Sequence, residues 1–206
     1  MINSRCSLKS LSSRSKRSRL FLSFPPRRSS FCLRRSIEWN FNGSGTLNVN
    51  AGYRNGIKST DDLKVVSGTF NITSNEDGII GKDFLGIKDG KFTIKSGSDG
   101  MKSTYDTDTS KGNIVITGSE FDITASNDGV HCNEDILISG GNLTISSGDD
   151  GVHADAALQV DGGTIDIKKC YEGLEGVHIT LNDGDISIVA SDDGINEADG
   201  SLSSRG

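Results

Sequence analysis

Proline occurs only twice in the 206-residue chain, at Pro25 and Pro26, so nothing after residue 26 removes a backbone donor from a strand ladder. Aromatic residues make up 6% and hydrophobic residues 33%. That is lean for a thick globular core and fits an architecture that buries a few aliphatic side chains per layer. Helical periodicity is missing throughout, which argues against an α-fold. No apolar run approaches the ~20 residues of a helical membrane span. The four cysteines, Cys6, Cys32, Cys132 and Cys170, show no Cys-x-x-Cys spacing, so neither a thiolate metal site nor a disulfide framework is expected. Arginine is absent between Arg54 and Arg205, and residues 1–37 hold ten Lys or Arg with no acid. The remainder therefore has twelve bases against 28 acids. Phosphate recognition needs clustered cations, so no nucleic-acid partner is expected.

What the chain does contain is a clock. Turn glycines recur at Gly56, Gly78, Gly100, Gly129, Gly151, Gly173 and Gly194, with intervals of 22, 22, 29, 22, 22 and 21 residues. A period of that length is one rung of a solenoid. Directly after each glycine stands an aliphatic residue: Ile57, Ile79, Met101, Val130, Val152, Leu174 and Ile195. Further along come alternating pairs such as Leu63 and Val65 or Ile136 and Ile138, and then a third set such as Phe70 and Ile72 or Ile165 and Ile167. Alternation is the mark of strands with one buried face. Three short strands per rung, separated by Gly, Asp, Asn and Ser turns, specify an all-β parallel β-helix of about seven rungs.

Residues 1–37 read as a separate basic, Ser- and Arg-rich segment, disordered or targeting in character, and residues 38–206 as the β-helix. The apolar piece Leu20–Phe24 is too short for a secretory signal, so a transit peptide or sequence ahead of the true start is expected. Ile37–Ser44, with Trp39 and Phe41, is placed to cap the first rung, and the absence of a second cap at Ser201–Gly206 leads us to expect truncation. The seven-residue excess between Gly100 and Gly129 falls within the eight-residue stretch Ser103–Ser110 and predicts a loop beside the turn column.

The residue before each turn glycine is Asn55, Asp77, Asp99, Asp128, Asp150, Glu172 or Asp193, with Glu76, Asn127, Asp149 and Asp192 one place earlier. Stacked rungs would set carboxylates ~4.8 Å apart, a repulsion of roughly 3.5 kcal/mol at an effective dielectric of about 20. Cations between them would relieve it. An all-oxygen set with irregular spacing suits Ca²⁺ better than Mg²⁺. The competing explanation is turn chemistry alone, with Asp bonding local backbone and Gly at positive φ. A second acidic strip, Asp61, Asp62, Asp83, Asp106, Asp108, Glu134, Asp135 and Asp155, follows the turns. Two places after the glycine the column reads Lys58, Ile80, Lys102, His131, His153, Glu175 and Asn196. Such variation fits a ligand-facing groove, and the successive histidines also admit a transition metal.

The run Cys170-Tyr171-Glu172-Gly173-Leu174-Glu175-Gly176, followed by Ser191-Asp192-Asp193-Gly194-Ile195-Asn196, resembles the carbohydrate-binding domain-containing protein family. The turns Asp149-Asp150-Gly151-Val152-His153 and Asn127-Asp128-Gly129-Val130-His131 extend the likeness. The resemblance implies a secreted, right-handed parallel β-helix that binds calcium and acidic polysaccharide such as polygalacturonate, at the cell surface or outside the cell. Its calcium ligands would come from Asp128, Asp149, Asp150, Glu172, Glu175, Asp192 and Asp193, with Asp77 and Asp99 continuing the column. Lys58, Lys102, His131, His153, Tyr171 and Asn196 would line the ligand groove of a monomer. No catalytic residue is assigned. A calcium-dependent pectate lyase would need a base, for which Lys102 leads Lys58 and Lys82, and a structural or adhesive repeat is the third reading.

Overall fold

The computed structural model describes residues 38–105 and 107–197, all within the compact unit Arg35–Gly206. The expectations for residues 1–37, for Asp106 and for the end at Ser201–Gly206 lie outside the described residues. Fifteen strands pair in parallel and no helix occurs among the described residues. They form a β-solenoid of about seven turns in which each rung pairs with the one before and after it.

One face begins directly after the turn glycines: β3 (Ile57–Ser59), β6 (Ile79–Gly81), β9 (Met101–Ser103), β11 (Val130–Cys132) and the starts of β13 (Val152–Cys170) and β14 (Leu174–Ala190), ending at β15 (Ile195–Glu197). Its register places Ile57, Ile79, Met101, Val130, Val152, Leu174 and Ile195 in one column. The second face runs from β1 (Trp39–Phe41) through β4 (Asp62–Val65), β7 (Phe84–Ile87), β10 (Asn113–Ala125) and β12 (Ile136–Ser146) into β13 and β14. The third starts at β2 (Thr46–Ala51), β5 (Thr69–Ser74) and β8 (Lys91–Ser96) and continues through the later halves of β10, β12, β13 and β14.

From β10 onward strands of adjoining faces fuse: β10 and β12 each span the second and third faces, and β13 and β14 span all three. Corners there are register shifts at residues such as Gly141 (φ +101°) and Gly163 (φ +97°), so pairing carries on around the bend. Inside, equivalent side chains lie on one another. Phe70, Phe92 and Phe121 stack at centroid spacings of 4.8 Å, and Phe41 meets Phe70 edge-on at 5.5 Å. Phe41 thus covers the first rung as the sequence led us to expect, while Trp39 is half exposed. Cys132 and Cys170 are buried ladder residues with free thiols. The extra residues between β9 and β10 form a loop held by Tyr105, whose ring lies 4.9 Å from Lys82 Nζ and 4.3 Å from Lys111 Nζ.

The clock glycines are not at positive φ, contrary to the simple turn explanation. Space requires them. A Cβ at Gly129 would stand 2.5 Å from Ile145 Cγ2 and 2.6 Å from the Gly151 carbonyl oxygen, and Gly56 faces the equivalent pair, Ile72 and Gly78. Each turn backbone is wedged between the next turn and an isoleucine of the third face. Gly129→Ala is expected to destabilise the fold by roughly 1–3 kcal/mol through overpacking. Gly194→Ala, where no atom lies within 4 Å of the added carbon, should change stability by less than about 0.5 kcal/mol. Urea denaturation of the two variants provides the comparison.

Candidate functional site

The turns stack so tightly that the residue before each glycine is brought within reach of its counterpart one rung on. Asn55 Oδ1 accepts from the Asp77 backbone N–H at 3.1 Å, and Asp77 Oδ1 from that of Asp99 at 3.2 Å. Asp99 Oδ1 accepts from Asp128 N–H at 3.3 Å, and Asp128 Oδ1 from Asp150 N–H at 3.0 Å. One oxygen of each side chain is thereby neutralised by peptide dipoles, and Asp99, Asp128 and Asp150 are buried.

The second oxygens face the side chain two places after the glycine, which the strand pleat turns outward beside the acid. Lys102 Nζ lies 2.5 Å from Asp99 Oδ2. His131 Nδ1 is 3.4 Å from Asp128 Oδ2 and 3.5 Å from Asp99 Oδ2. His153 Nδ1 is 3.2 Å from Asp150 Oδ2 and 3.3 Å from Glu175 Oε2. Across the groove Asp155 Oδ1 sits 3.3 Å from His153 Nε2 and 3.7 Å from His131 Nε2, and Asn133 Nδ2 donates to Asp155 Oδ2 at 2.9 Å. The two imidazoles stack with centroids 5.0 Å apart.

Burial alone would discharge the histidines, but the surrounding carboxylates win. Asp155 and Asp99 lift His131 to about 9, and Asp150, Asp155 and Glu175 lift His153 to about 10. Burial opposes the charged form of Asp99, yet His131 and Lys102 hold it at about 2. Asp128 is less well compensated, and burial together with Asp99 and Asp150 pushes it to about 6. Lys102 holds its proton more tightly than a free lysine because its bond to Asp99 outweighs its burial, which is the wrong direction for a general base.

The other expected residues lie along the same edge. Asp149 and Asp192 are exposed, as is Asp193, and Tyr171 is 47% exposed with its phenol raised by the adjacent Asp192. Asn196 Nδ2 donates to Glu172 Oε2 at 2.8 Å. Lys58 is exposed at the first rung, next in register to Ile80 and apart from the histidines. Among the described residues three groups bring ligand atoms within 4.8 Å of one another: Asp128, Asp149 and Asp150; Asp128, His131 and His153; and Asp150, His153 and Glu175. Only the first is all oxygen. Asp155, counted in the secondary strip, proves central. The signal was present, since residues 153 and 155 alternate onto one face of a strand.

A family model described as "Carbohydrate-binding domain-containing protein" matches residues 33–194, most of the chain. No curated protein and no solved structure gives a significant match.

The imidazole shifts set a pH dependence for metal-free protein. A histidine whose folded pKa is above its ordinary 6.5 contributes stability in full below that pH and loses it as pH rises through the folded value. Melting temperature should therefore fall between pH 6.5 and about 10, the window given by His131 and His153. Thermal melts followed by circular dichroism check this. The paired variant His131→Gln, His153→Gln should flatten the alkaline slope, and a flat wild-type profile would count against charged imidazoles.

Proposed function

The chain belongs to the carbohydrate-binding domain-containing protein family, and from that premise we propose a non-catalytic module that grips acidic polysaccharide of the polygalacturonate class through Ca²⁺ held on the turn edge. The observation that carries the ion is the cluster of Asp128, Asp149 and Asp150, whose carboxylate oxygens come within 4.8 Å of one another. Hard oxygen donors with one exposed member suit a cation that keeps several positions for water or ligand. The raised Asp128 supports the same reading, since a carboxylate crowded by Asp99 and Asp150 gains most from an added positive charge.

The chemistry of the partner follows from charge. With twelve bases against 28 acids after residue 37, the solenoid repels a polyuronate unless an ion neutralises both. Calcium joins a uronate carboxylate to Asp149 without bringing the two anions into direct contact. Tyr171, 47% exposed one rung on, offers an apolar face to a sugar ring and a hydroxyl at its rim. Such a module works outside the cell, as a monomer laid along its polymer.

The test is a calorimetric titration of polygalacturonate into protein with calcium and into chelator-treated protein. Binding should require calcium, fall by about tenfold or more in Asp149→Asn, and be accompanied by no unsaturated uronate product in the ultraviolet. Calcium-independent binding would refute the bridge. Growth of that product would point to the lyase.

A further inference from the structure

Three successive rungs pair a base with the acid before the turn glycine, and the rung after them reverses the charge. Two places after the glycine, Lys102, His131 and His153 each answer a buried carboxylate, and Glu175 follows them with the opposite charge. Glu175 turns toward the preceding rung, where its Oε2 lies 3.3 Å from His153 Nδ1, the same nitrogen that lies 3.2 Å from Asp150 Oδ2. One nitrogen and two carboxylates therefore converge, and all three ligand atoms lie within 4.8 Å of one another.

The separations are informative. A charge-assisted N–H···O bond runs about 2.7–2.9 Å, shorter than either contact to His153. Ligands of a tetrahedral ion with bonds of ~2.0–2.1 Å are held ~3.3 Å apart, which matches both. Behind the ring, His153 Nε2 lies 3.3 Å from Asp155 Oδ1, and Asp155 is itself held by Asn133. Asp155 thus stands at the far nitrogen, where a carboxylate supports a metal-bound imidazole once the ion has displaced the Nδ1 proton. An imidazole donor selects against calcium and for the zinc class of divalent ions.

We propose that Asp150, His153 and Glu175 form a site for one Zn²⁺-class ion, with three protein ligands drawn from two consecutive rungs and the remaining coordination open to solvent. The ion staples rung to rung, and its open position can take water or an oxygen of a bound sugar. This site shares Asp150 with the calcium cluster but needs neither Asp149 nor polysaccharide, so it goes beyond the calcium reading and is tested separately from it by zinc titration of calcium-free protein.

The experiment uses the full chain, stripped with chelator and kept free of calcium and sugar. Zinc is titrated calorimetrically, with Co²⁺ as the optical probe of a low-coordinate nitrogen and oxygen shell. Wild type should bind one zinc. His153→Gln and Glu175→Gln should abolish saturable binding, Asp155→Asn should weaken it about 10- to 100-fold, and Asp149→Asn should leave it unchanged. If circular dichroism shows that His153→Gln has lost its sheet, Glu175→Gln, a near-isosteric change at a partly buried side chain, decides. No saturable zinc binding by wild type, or wild-type binding by Glu175→Gln, overturns the assignment. Loss in His131→Gln with retention in Glu175→Gln would move the ion one rung earlier and also overturn it.

Discussion

Backbone pressed on backbone at the turns is the contact on which the other features rest. Because each turn glycine from Gly56 to Gly173 leaves no room for a Cβ between the next turn's carbonyl and an isoleucine of the third face, the turns cannot slide or splay relative to one another. The preceding residue is then delivered to the same place in every rung. Its side-chain oxygen meets the next rung's N–H, and its other oxygen meets whatever lies two places beyond the glycine. Packing in the interior therefore dictates electrostatics at the edge, and a methyl group too many would disturb both.

Carboxylates piled along an axis should repel, and the sequence alone pointed to metal as the remedy. Most of the remedy is built into the chain. Peptide N–H groups take one oxygen of each buried acid, while Lys102, His131 and His153 answer the other. Compensation thins out at Asp128 and Glu175, both held above the ordinary carboxylate range, and at exposed Asp149, to which no lysine or arginine among the described residues is paired. The groups able to hold ions are consequently local and chemically distinct. Oxygen donors gather at Asp149, and a nitrogen donor with carboxylates gathers at His153.

Much of this could be read from residue order. The period, the three aliphatic columns, the position of the inserted loop and the role of Phe41 follow from spacing and alternation, because every buried position in a solenoid repeats its neighbour's environment. What spacing concealed was the reason for the glycines, since clearance between stacked backbones leaves no local signature, whereas a turn of positive φ does. The pairing of Asp99 with Lys102, Asp128 with His131 and Asp150 with His153 is legible as a base three residues after an acid, with the column two places after the glycine pointing outward beside the acids. Asp155 was hidden, lying in a different strip until the strand pleat turned it toward both imidazoles. Fusion of the later strands around their corners depends on exact bulge geometry and is visible only in three dimensions.

The chain of side-chain bonds from Asn55 through Asp77, Asp99 and Asp128 to the Asp150 amide runs in a single direction, each acceptor belonging to the earlier rung. Every link joins a backbone N–H to a side-chain Oδ1 of the preceding rung, an amide oxygen at Asn55 and a carboxylate oxygen thereafter, so a whole rung could be duplicated or deleted and the flanking links would rejoin. A change of length within a rung is absorbed at a bend, as in the 21-residue interval from Gly173 to Gly194, across which Leu174 still pairs with Ile195 and Glu175 with Asn196. The number of repeats is thus free to vary in such an architecture, while the register between successive turns is held by the bonds that join them.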